Sequence, residues 1–242
     1  KYRRGLVAVV AGSMPGAAAL GALAAQHAGA GYVKVVADQP IAGLPHSIVV
    51  DRRPLEQALD DERVGAVLCG PGLGRDAAAR ERLLAVLRRG ASTVLDADAL
   101  MLMQQGDLRG PGQVVLTPHE GELARLVNIF GNATSHETKL NTALAIAGAG
   151  GVTLIAKGAD TLVVRPGQAA AVAPSAPPWL STAGTGDVLA GIVTSRLATG
   201  ADPFTAACEA VWLHGEAARL AGAAFCADEL AGNVAAAYAA AL

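Results

Sequence analysis

The stretch Thr182-Ala-Gly-Thr-Gly-Asp187 runs directly into the apolar, helix-like stretch Val188-Leu-Ala-Gly-Ile-Val-Thr194. Glycines beside a helix start let backbone N–H groups converge on an anion, and the helix dipole adds positive potential there. A carboxylate repels phosphate, so Asp187 fits this place as the base for the group that attacks the phosphate. The stretch therefore predicts phosphoryl transfer, with helix capping by Asp187 as the alternative.

Strand-like segments precede this stretch. Continuous apolar runs bounded by Gly, Pro or Asp are typical of parallel strands, because helices cover both faces of such a sheet. The predicted strands are 6–11, 32–37, 47–50, 66–69, 92–95 and 114–116. Helical patterns at 17–28, 77–89 and 120–127 lie between most of them, and this alternation predicts right-handed crossovers in a doubly wound α/β sheet.

The pattern changes in the second half of the chain. After a helical stretch at 137–149, short runs at 152–156, 161–165 and 169–173 are separated by tight turns, which predicts an antiparallel meander. Three further helices are predicted at 187–198, 203–222 and 227–242. The expected fold is one α/β domain over 1–242, with a mostly parallel central sheet.

Composition narrows the function classes. Nineteen basic and 21 acidic residues give a net charge of −2, and no basic stripe or lysine-rich amphipathic segment indicates nucleic acid or a membrane surface. No apolar run is long enough to span a bilayer. The three cysteines are odd in number and lack metal-ligand spacing, so they are interpreted as small buried hydrophobes in a reducing, cytoplasmic compartment.

Polar and glycine-rich loops follow several predicted strands. Ligands of open parallel sheets bind outside the carboxyl ends of the strands, and four loops fall there. They are 12–13, 70–74, 96–98 and 117–122. Their common position on one rim of the sheet predicts the location of the active site.

Three of these signals leave alternatives open. Gly70-Pro-Gly-Leu-Gly74 is not a Walker loop, and is either a tight turn or a place of close ligand approach. Asp96 and Asp98 alternate, so that one faces the site and the other caps the next helix. The segment Lys157-Gly-Ala-Asp-Thr161 is either a solvated turn or a loop that grips nucleotide phosphates.

Thr117-Pro-His-Glu-Gly-Glu122 places a histidine and two acids at a helix start. Acids are favoured there by the helix dipole, so Glu120 is structural or catalytic. Glu122 is a candidate to face Mg²⁺ through water, and His119 is interpreted as a ligand contact. His214, within a helical pattern, is predicted to form a hydrogen bond in the core.

Taken together, these blocks resemble the ADP/ATP-dependent NAD(P)H-hydrate dehydratases, a branch of the ribokinase-like fold. The matching blocks lie in order at 12–17, 70–74, 94–100, 116–122, 157–161 and 182–191. The resemblance implies a three-layer αβα sandwich. It also implies an enzyme that uses ADP or ATP, with Mg²⁺, to phosphorylate the ring hydroxyl of hydrated NADH or NADPH, after which phosphate leaves.

The resemblance also implies residue roles. Ala17, Gly72 and His119 would contact the hydrated dinucleotide, and Asp187 would accept the proton of its hydroxyl. Nucleotide binding would fall to Lys157, Gly158, Ala159, Asp160, Thr161, Gly184, Thr185 and Gly186.

Similar proteins often carry an epimerase domain before this one, which suits the start at Lys1, and the resemblance implies an epimerase as a fused domain or partner. It also implies a homo-oligomer. Two alternatives remain at this stage. One is a small-molecule kinase of the same fold, of the hydroxyethylthiazole or hydroxymethylpyrimidine kinase type, and the other is a non-catalytic adenylate or dinucleotide sensor.

Overall fold

The computed structural model describes residues 2–110, 112–130 and 138–241. Its nine strands form one sheet in the order β3-β2-β1-β4-β5-β6-β7-β8-β9. Strands β1 to β7 are parallel, and β8 is antiparallel to both of its neighbours, β7 and β9. The strands are β1 Leu6–Val10, β2 Tyr32–Val36, β3 Val49–Asp51, β4 Val64–Cys69, β5 Ser92–Leu95, β6 Val114–Leu116, β7 Thr153–Ala156, β8 Leu162–Val164 and β9 Ala171–Val172.

Helices cover both faces of the sheet. They are α1 Pro15–His27, α2 Leu55–Leu59, α3 Ala77–Arg89, α4 Asp98–Leu102, α5 Glu120–Phe130, α6 Lys139–Gly150, α7 Thr185–Ala198, α8 Pro203–Ala221 and α9 Ala227–Ala240. The side chains of Val7 and Val9 in β1 join the core under α1, α7, α8 and α9. Those of Leu6, Ala8 and Val10 join the core under α2 to α6. This alternation builds a three-layer αβα sandwich and confirms the predicted fold class.

Close helix packing sets the position of α7. A Cβ at Gly191 would lie 2.1 Å from the carbonyl oxygen of Gly21 in α1, so the contact requires glycine. One turn earlier, Gly21 approaches the backbone of Asp187, and the side chain of Leu20 packs on Gly184. Helix α1 therefore fixes the start of α7 at the carboxyl edge of the sheet.

The structure differs from the predictions in local detail. Helices α2 and α4 are five residues each, too short for a helical period to be recognised. Helix α7 begins at Thr185, two residues before the predicted start, because Gly184 adopts a left-handed conformation and ends the preceding loop. Cys69 is buried, but Cys226 is exposed at the start of α9, so the interpretation of all three cysteines as buried is wrong. The predicted helix start at residue 137 lies outside the described residues.

Within the part of the chain that the structure describes, no helix combines the length and apolarity needed to cross a lipid bilayer.

Candidate active site

The start of α7 is held by hydrogen bonds from a side chain in its first turn. The hydroxyl of Thr185 donates to the carbonyl oxygens of Leu180 at 2.7 Å and Thr182 at 2.8 Å. The Nε2 atom of His214 lies 2.9 Å from the carbonyl oxygen of Thr185. Burial lowers the pKa of His214 to about 4, so the ring is neutral at pH 7 and Nε2–H donates. The prediction that His214 forms a core hydrogen bond is confirmed.

A buried ion pair lies against this helix start. Lys157, which follows β7, places Nζ 2.8 Å from Oδ1 of Asp96, which follows β5. A Cβ at Gly186 would lie only 3.2 Å from that Nζ. The backbone at Gly186, in the first turn of α7, and the ammonium of Lys157 are thus side by side, an arrangement suited to a phosphate group.

Asp187, in the first turn of α7, shares this environment. Burial, followed by the negative charge of Asp96, raises the pKa of Asp187 to about 7, against the opposing effect of Lys157. A carboxyl group that titrates near neutral pH is matched to general base catalysis, since it is ionised in part and still basic. The electrostatics therefore favour a catalytic role for Asp187 over simple capping.

Glu122 and His119 cap helix α5. The backbone N–H of His119 donates to Oε2 of Glu122 at 2.8 Å, and Nδ1 of His119 accepts from the backbone N–H of Gly121 at 3.0 Å. The His119 ring is exposed, and its Nε2 lies 3.5 Å from Oε1 of Glu122. Oε2 of Glu122 also lies 4.0 Å from Nζ of Lys157. Burial raises the pKa of Glu122.

The structure separates the two aspartates that the sequence left undecided. Asp96 pairs with Lys157 in the site. Asp98 accepts from the backbone N–H of Gly74 at 3.0 Å and from Nε of Arg75 at 2.7 Å. Asp98 therefore holds the loop after β4, and its negative charge adds to the raised pKa of Asp187.

The glycines of that loop are required by packing. A Cβ at Gly70 would lie 1.8 Å from the carbonyl oxygen of Asp96, and one at Gly72 would lie 2.0 Å from that of Met14. Both glycines also have positive φ, 134° and 61°. The tight-turn interpretation of this loop is therefore sufficient for its glycines, and close ligand approach at Gly72 stays a prediction.

Two crevices open on this rim. The wide crevice, of about 860 Å³, lies between α5, α6 and the turn at 157–160, and His119, Lys157, Gly158, Ala159 and Asp160 are among its lining residues. The narrow crevice, of about 300 Å³, lies beyond β1 and β2, and is lined in part by Gly12, Ser13, Asp38, Leu73 and Arg82. Of the three residues expected to contact the dinucleotide, His119 lines the wide crevice. Ala17, in the first turn of α1, and Gly72, on the loop after β4, lie beside the narrow one.

The turn at 157–161, which the sequence predicts to bind the nucleotide and which is called the nucleotide turn below, is held together by one of its own residues. The hydroxyl of Thr161 donates to the carbonyl oxygen of Gly158 at 2.8 Å and accepts from its N–H at 3.2 Å. Lys139, at the start of α6, donates to the backbone oxygen of Asp160 at 2.9 Å and to its Oδ1 at 2.8 Å. Sequence reasoning missed Lys139, because no motif links this lysine to a turn 20 residues away.

The donor set around Lys157 suits a metal that arrives with phosphates. Among residues 2–110, 112–130 and 138–241, no three His, Cys, Asp or Glu side chains form a ready metal site. Mg²⁺ does not require one, since it usually binds one or two carboxylates, phosphate oxygens and water. The carboxylates of Asp96 and Glu122 fit that pattern, because the two of them share the single positive charge of Lys157.

The comparisons with known proteins agree with this geometry. A family model described as NAD(P)H-hydrate dehydratase matches residues 7–237. The chain belongs to the NAD(P)H-hydrate dehydratase family. It is 37% identical over 249 residues to the ADP-dependent (S)-NAD(P)H-hydrate dehydratase of Neisseria meningitidis, and the match covers 96% of this chain and 82% of that protein. The predicted family is confirmed.

Longer relatives and solved structures extend the picture. The bifunctional NAD(P)H-hydrate repair enzyme of Mycobacterium leprae is 34% identical over 92% of this chain, and the chain spans 47% of that protein's length. The dehydratase of Bacillus subtilis co-crystallized with ATP/Mg²⁺ has a TM-score of 0.83 and 27% identity, covering 98% of this chain and 90% of that one. Hydroxyethylthiazole kinase of Pyrococcus horikoshii, at a TM-score of 0.72 and 19% identity over 97% of this chain and 89% of its own, shares the fold.

Proposed function

We propose that this chain dehydrates hydrated NADH or NADPH at the expense of ADP or ATP, with Asp187 as the catalytic base. The observation that carries the assignment is the position of a carboxyl group of pKa about 7 in the first turn of α7, beside the ammonium of Lys157. Family membership supplies the substrate class, and the site chemistry supplies the roles.

The reaction proceeds in two steps in this proposal. Asp187 accepts the proton of the ring hydroxyl as its oxygen attacks the terminal phosphorus, and the bond from phosphorus to the departing nucleotide breaks. Phosphate then leaves with the electrons of the carbon–oxygen bond, and the neighbouring ring carbon loses a proton, which restores the double bond. Phosphorylation helps because hydroxide is a poor leaving group and phosphate a good one.

Lys157 and the amide of Gly186 hold the transferring phosphoryl group, and Thr185, whose N–H donates to the carbonyl oxygen of Thr182, shapes the helix start beside it. Asp96 is 1% exposed and fixes the lysine, so we assign it a positioning role. The turn Lys157–Asp160 and the apolar floor of the wide crevice accommodate the rest of the nucleotide, with Thr161 shaping the turn. Gly184 ends the loop so that the amides face the ligand.

Mg²⁺, when bound, neutralises phosphate charge as the oxygen attacks. Asp96 and Glu122 are the residues that would hold it, Glu122 through water. His119, Ala17 and Gly72 would flank the hydrated dinucleotide on either side of Asp187.

The test is recovery of reduced-nicotinamide absorbance from hydrated NADH. We expect recovery with ADP or ATP and Mg²⁺, and none without nucleotide. A stable phosphorylated product would instead indicate a kinase of the same fold. Nucleotide binding without any turnover would indicate a sensor, and recovery without nucleotide would contradict the phosphorylation step.

We further propose that residues 1–242 act as one dehydratase domain that works with an epimerase, either fused or separate. The bifunctional relatives, of which the chain spans about half the length, support this arrangement. A homo-oligomeric state and a cytoplasmic location are also proposed, and gel filtration with light scattering and cell fractionation would test them.

A further inference from the structure

The narrow crevice lies on the same rim as Asp187 but away from the nucleotide turn. It is open beyond the carboxyl ends of β1 and β2, which are adjacent parallel strands. Ligands of doubly wound sheets bind at this edge. Its volume of about 300 Å³ suits one part of a ligand whose other part lies elsewhere.

The walls of the narrow crevice continue toward Asp187, the proposed catalytic base. The loop after β1 is tied to the loop after β4, because the N–H of Met14 donates to the carbonyl oxygen of Gly72 at 3.0 Å. Gly72, on the second of these loops, and Ala17, in the first turn of α1, are the residues proposed to contact the dinucleotide. In α1, the turn after Ala17 touches Gly184 and Asp187. A ligand that reaches Asp187 across Ala17 and Gly72 therefore extends into this crevice.

The distance along the sheet suits a dinucleotide. The start of α7 lies against Asp96, which follows β5, and β2 lies three places from β5 in the sheet order. At about 4.8 Å between neighbouring strands, the separation from β5 to β2 is about 14 Å. A nicotinamide ring at Asp187 thus leaves the second nucleoside of the same molecule over β1 and β2.

The polar groups of the crevice match a ribose. Arg82 of α3 forms an ion pair with Asp38, which follows β2, and also donates to the carbonyl oxygen of Ala11 at 3.3 Å. In dinucleotide-binding sheets, an acid after the second strand accepts a hydrogen bond from the 2′-hydroxyl of the adenosine ribose. Where the ribose carries a 2′-phosphate, a nearby arginine accommodates it. The glycine fingerprint of those folds is absent here, so the likeness concerns only this acid and this arginine. Ile41 adds apolar surface for a base.

We propose that the narrow crevice binds the adenosine ribose of the hydrated dinucleotide, and that Asp38 selects NADH hydrate over NADPH hydrate. The inference rests on the proposed function. A 2′-phosphate would meet the carboxylate of Asp38, while Arg82 is already engaged by that carboxylate. The side chain of Asp38 is 77% exposed and that of Arg82 only 21%, so the acid meets an entering ligand first.

The test compares kcat/KM for the two hydrates in wild type and variants. Wild type should prefer NADH hydrate. Removing the charge with Asp38→Asn should raise the NADPH-to-NADH ratio about tenfold, because a like charge is removed and Arg82 is released. Adding Arg82→Gln to Asp38→Asn should abolish that gain. The KM for ADP should not change in any variant, because the nucleotide occupies the wide crevice.

Matched variants keep the inference falsifiable. Asp60→Asn removes an exposed carboxylate that precedes β4, at the opposite edge of the sheet, and should leave the ratio unchanged. If Asp38→Asn melts at a lower temperature than wild type, Asp38→Ser replaces it with the same expected ratio. An unchanged ratio in a folded Asp38 variant, or a wild-type preference for NADPH hydrate, would overturn the inference. Failure of wild type to consume either hydrate would instead overturn the proposed function.

Discussion

Lys34 and Lys157 are both largely removed from solvent, but their roles differ. Lys34 of β2, with 4% of its side chain exposed, reaches Oδ2 of Asp51 at 3.4 Å and donates to the carbonyl oxygen of Ala58. Asp51 is paired again by Arg53, which lowers the pKa of Asp51 to about 2. Lys34 and Asp51 thus form a one-to-one ion pair, and the lysine ties β2 to β3 and α2.

Lys157 lies in the opposite electrostatic situation. Burial alone would lower the pKa of Lys157, but the carboxylates of Asp96 and Glu122 outweigh it and raise that pKa, with a further contribution from Asp187. One ammonium thus faces three carboxyl groups, two of which have raised pKa values. The comparison teaches that a balanced buried pair holds the fold together, whereas an unbalanced one at a helix start is prepared for a ligand.

The largest effect should come from Asp187, the carboxyl group closest in role to the reaction. We expect Asp187→Asn to lower kcat by about 10²- to 10⁴-fold, because the base is lost while the shape is kept. ADP affinity, measured by calorimetry, should persist. Loss of ADP binding together with kcat would show that Asp187 holds the helix start rather than the proton.

Exchanging the two lysines for methionine tests the comparison directly. Lys157→Met should lower kcat/KM by about 10²-fold, as expected for a lost phosphate-stabilising group. Lys34→Met should leave kcat/KM unchanged but cost about 1–3 kcal/mol in the free energy of unfolding, because Asp51 and Ala58 lose a buried donor.

Urea denaturation and steady-state kinetics measure the two quantities on the same samples. Equal effects of both substitutions on turnover would remove the distinction between the two lysines.

The pH profile should depend on Asp96. In wild type, kcat/KM should fall as the pH drops below about 7, because Asp187 becomes protonated. Asp96→Asn removes a negative charge near Asp187, so the pKa of Asp187 should fall and the acid limb should move to lower pH. Asp51→Asn is the control, since Asp51 lies in the balanced pair, and a shift of equal size there would contradict the assignment.

The same pKa predicts a stability effect of defined sign. The folded pKa of Asp187 lies above its ordinary value of 3.8, so its favourable contribution is present below pH 3.8 and is lost as the pH rises through about 7. Asp187→Asn should therefore melt at a higher temperature than wild type above pH 7, and the difference should shrink in acid. A variant that melts lower at every pH would show that the carboxylate stabilises the fold.

The smallest effect concerns Lys139, whose partner Asp160 is well exposed. Surface ion pairs contribute about 0.2–1 kcal/mol, so Lys139→Ala should raise the KM for ADP about two- to fivefold by loosening the turn at 157–160. The KM for hydrated NADH should not change. A large fall in kcat would place Lys139 in the chemistry, and the contrast would then involve three lysines.

The sequence alone predicted a mostly parallel, doubly wound sheet with an antiparallel meander. Through the resemblance, it also predicted the three-layer αβα sandwich and the family. It could do so because continuous apolar runs and helical periods are local patterns, and because the motifs near Asp187 are short and contiguous. It did not predict α2 or α4, since five residues carry too little periodicity. It placed the start of α7 two residues late, because the left-handed Gly184 that sets the boundary is a conformational fact.

What only the tertiary structure decided is which groups meet. Asp96 and Asp98 are equivalent in sequence, but the sheet places β5 only two strands from β7. Asp96, at the end of β5, therefore meets Lys157, 61 residues away, whereas Asp98 contacts Gly74 and Arg75. Arg82 and Asp38 likewise come from separate crossovers. Local patterns fix the elements because they depend on near neighbours, whereas charge pairs and crevices depend on distances across the sheet, which the order of residues does not state.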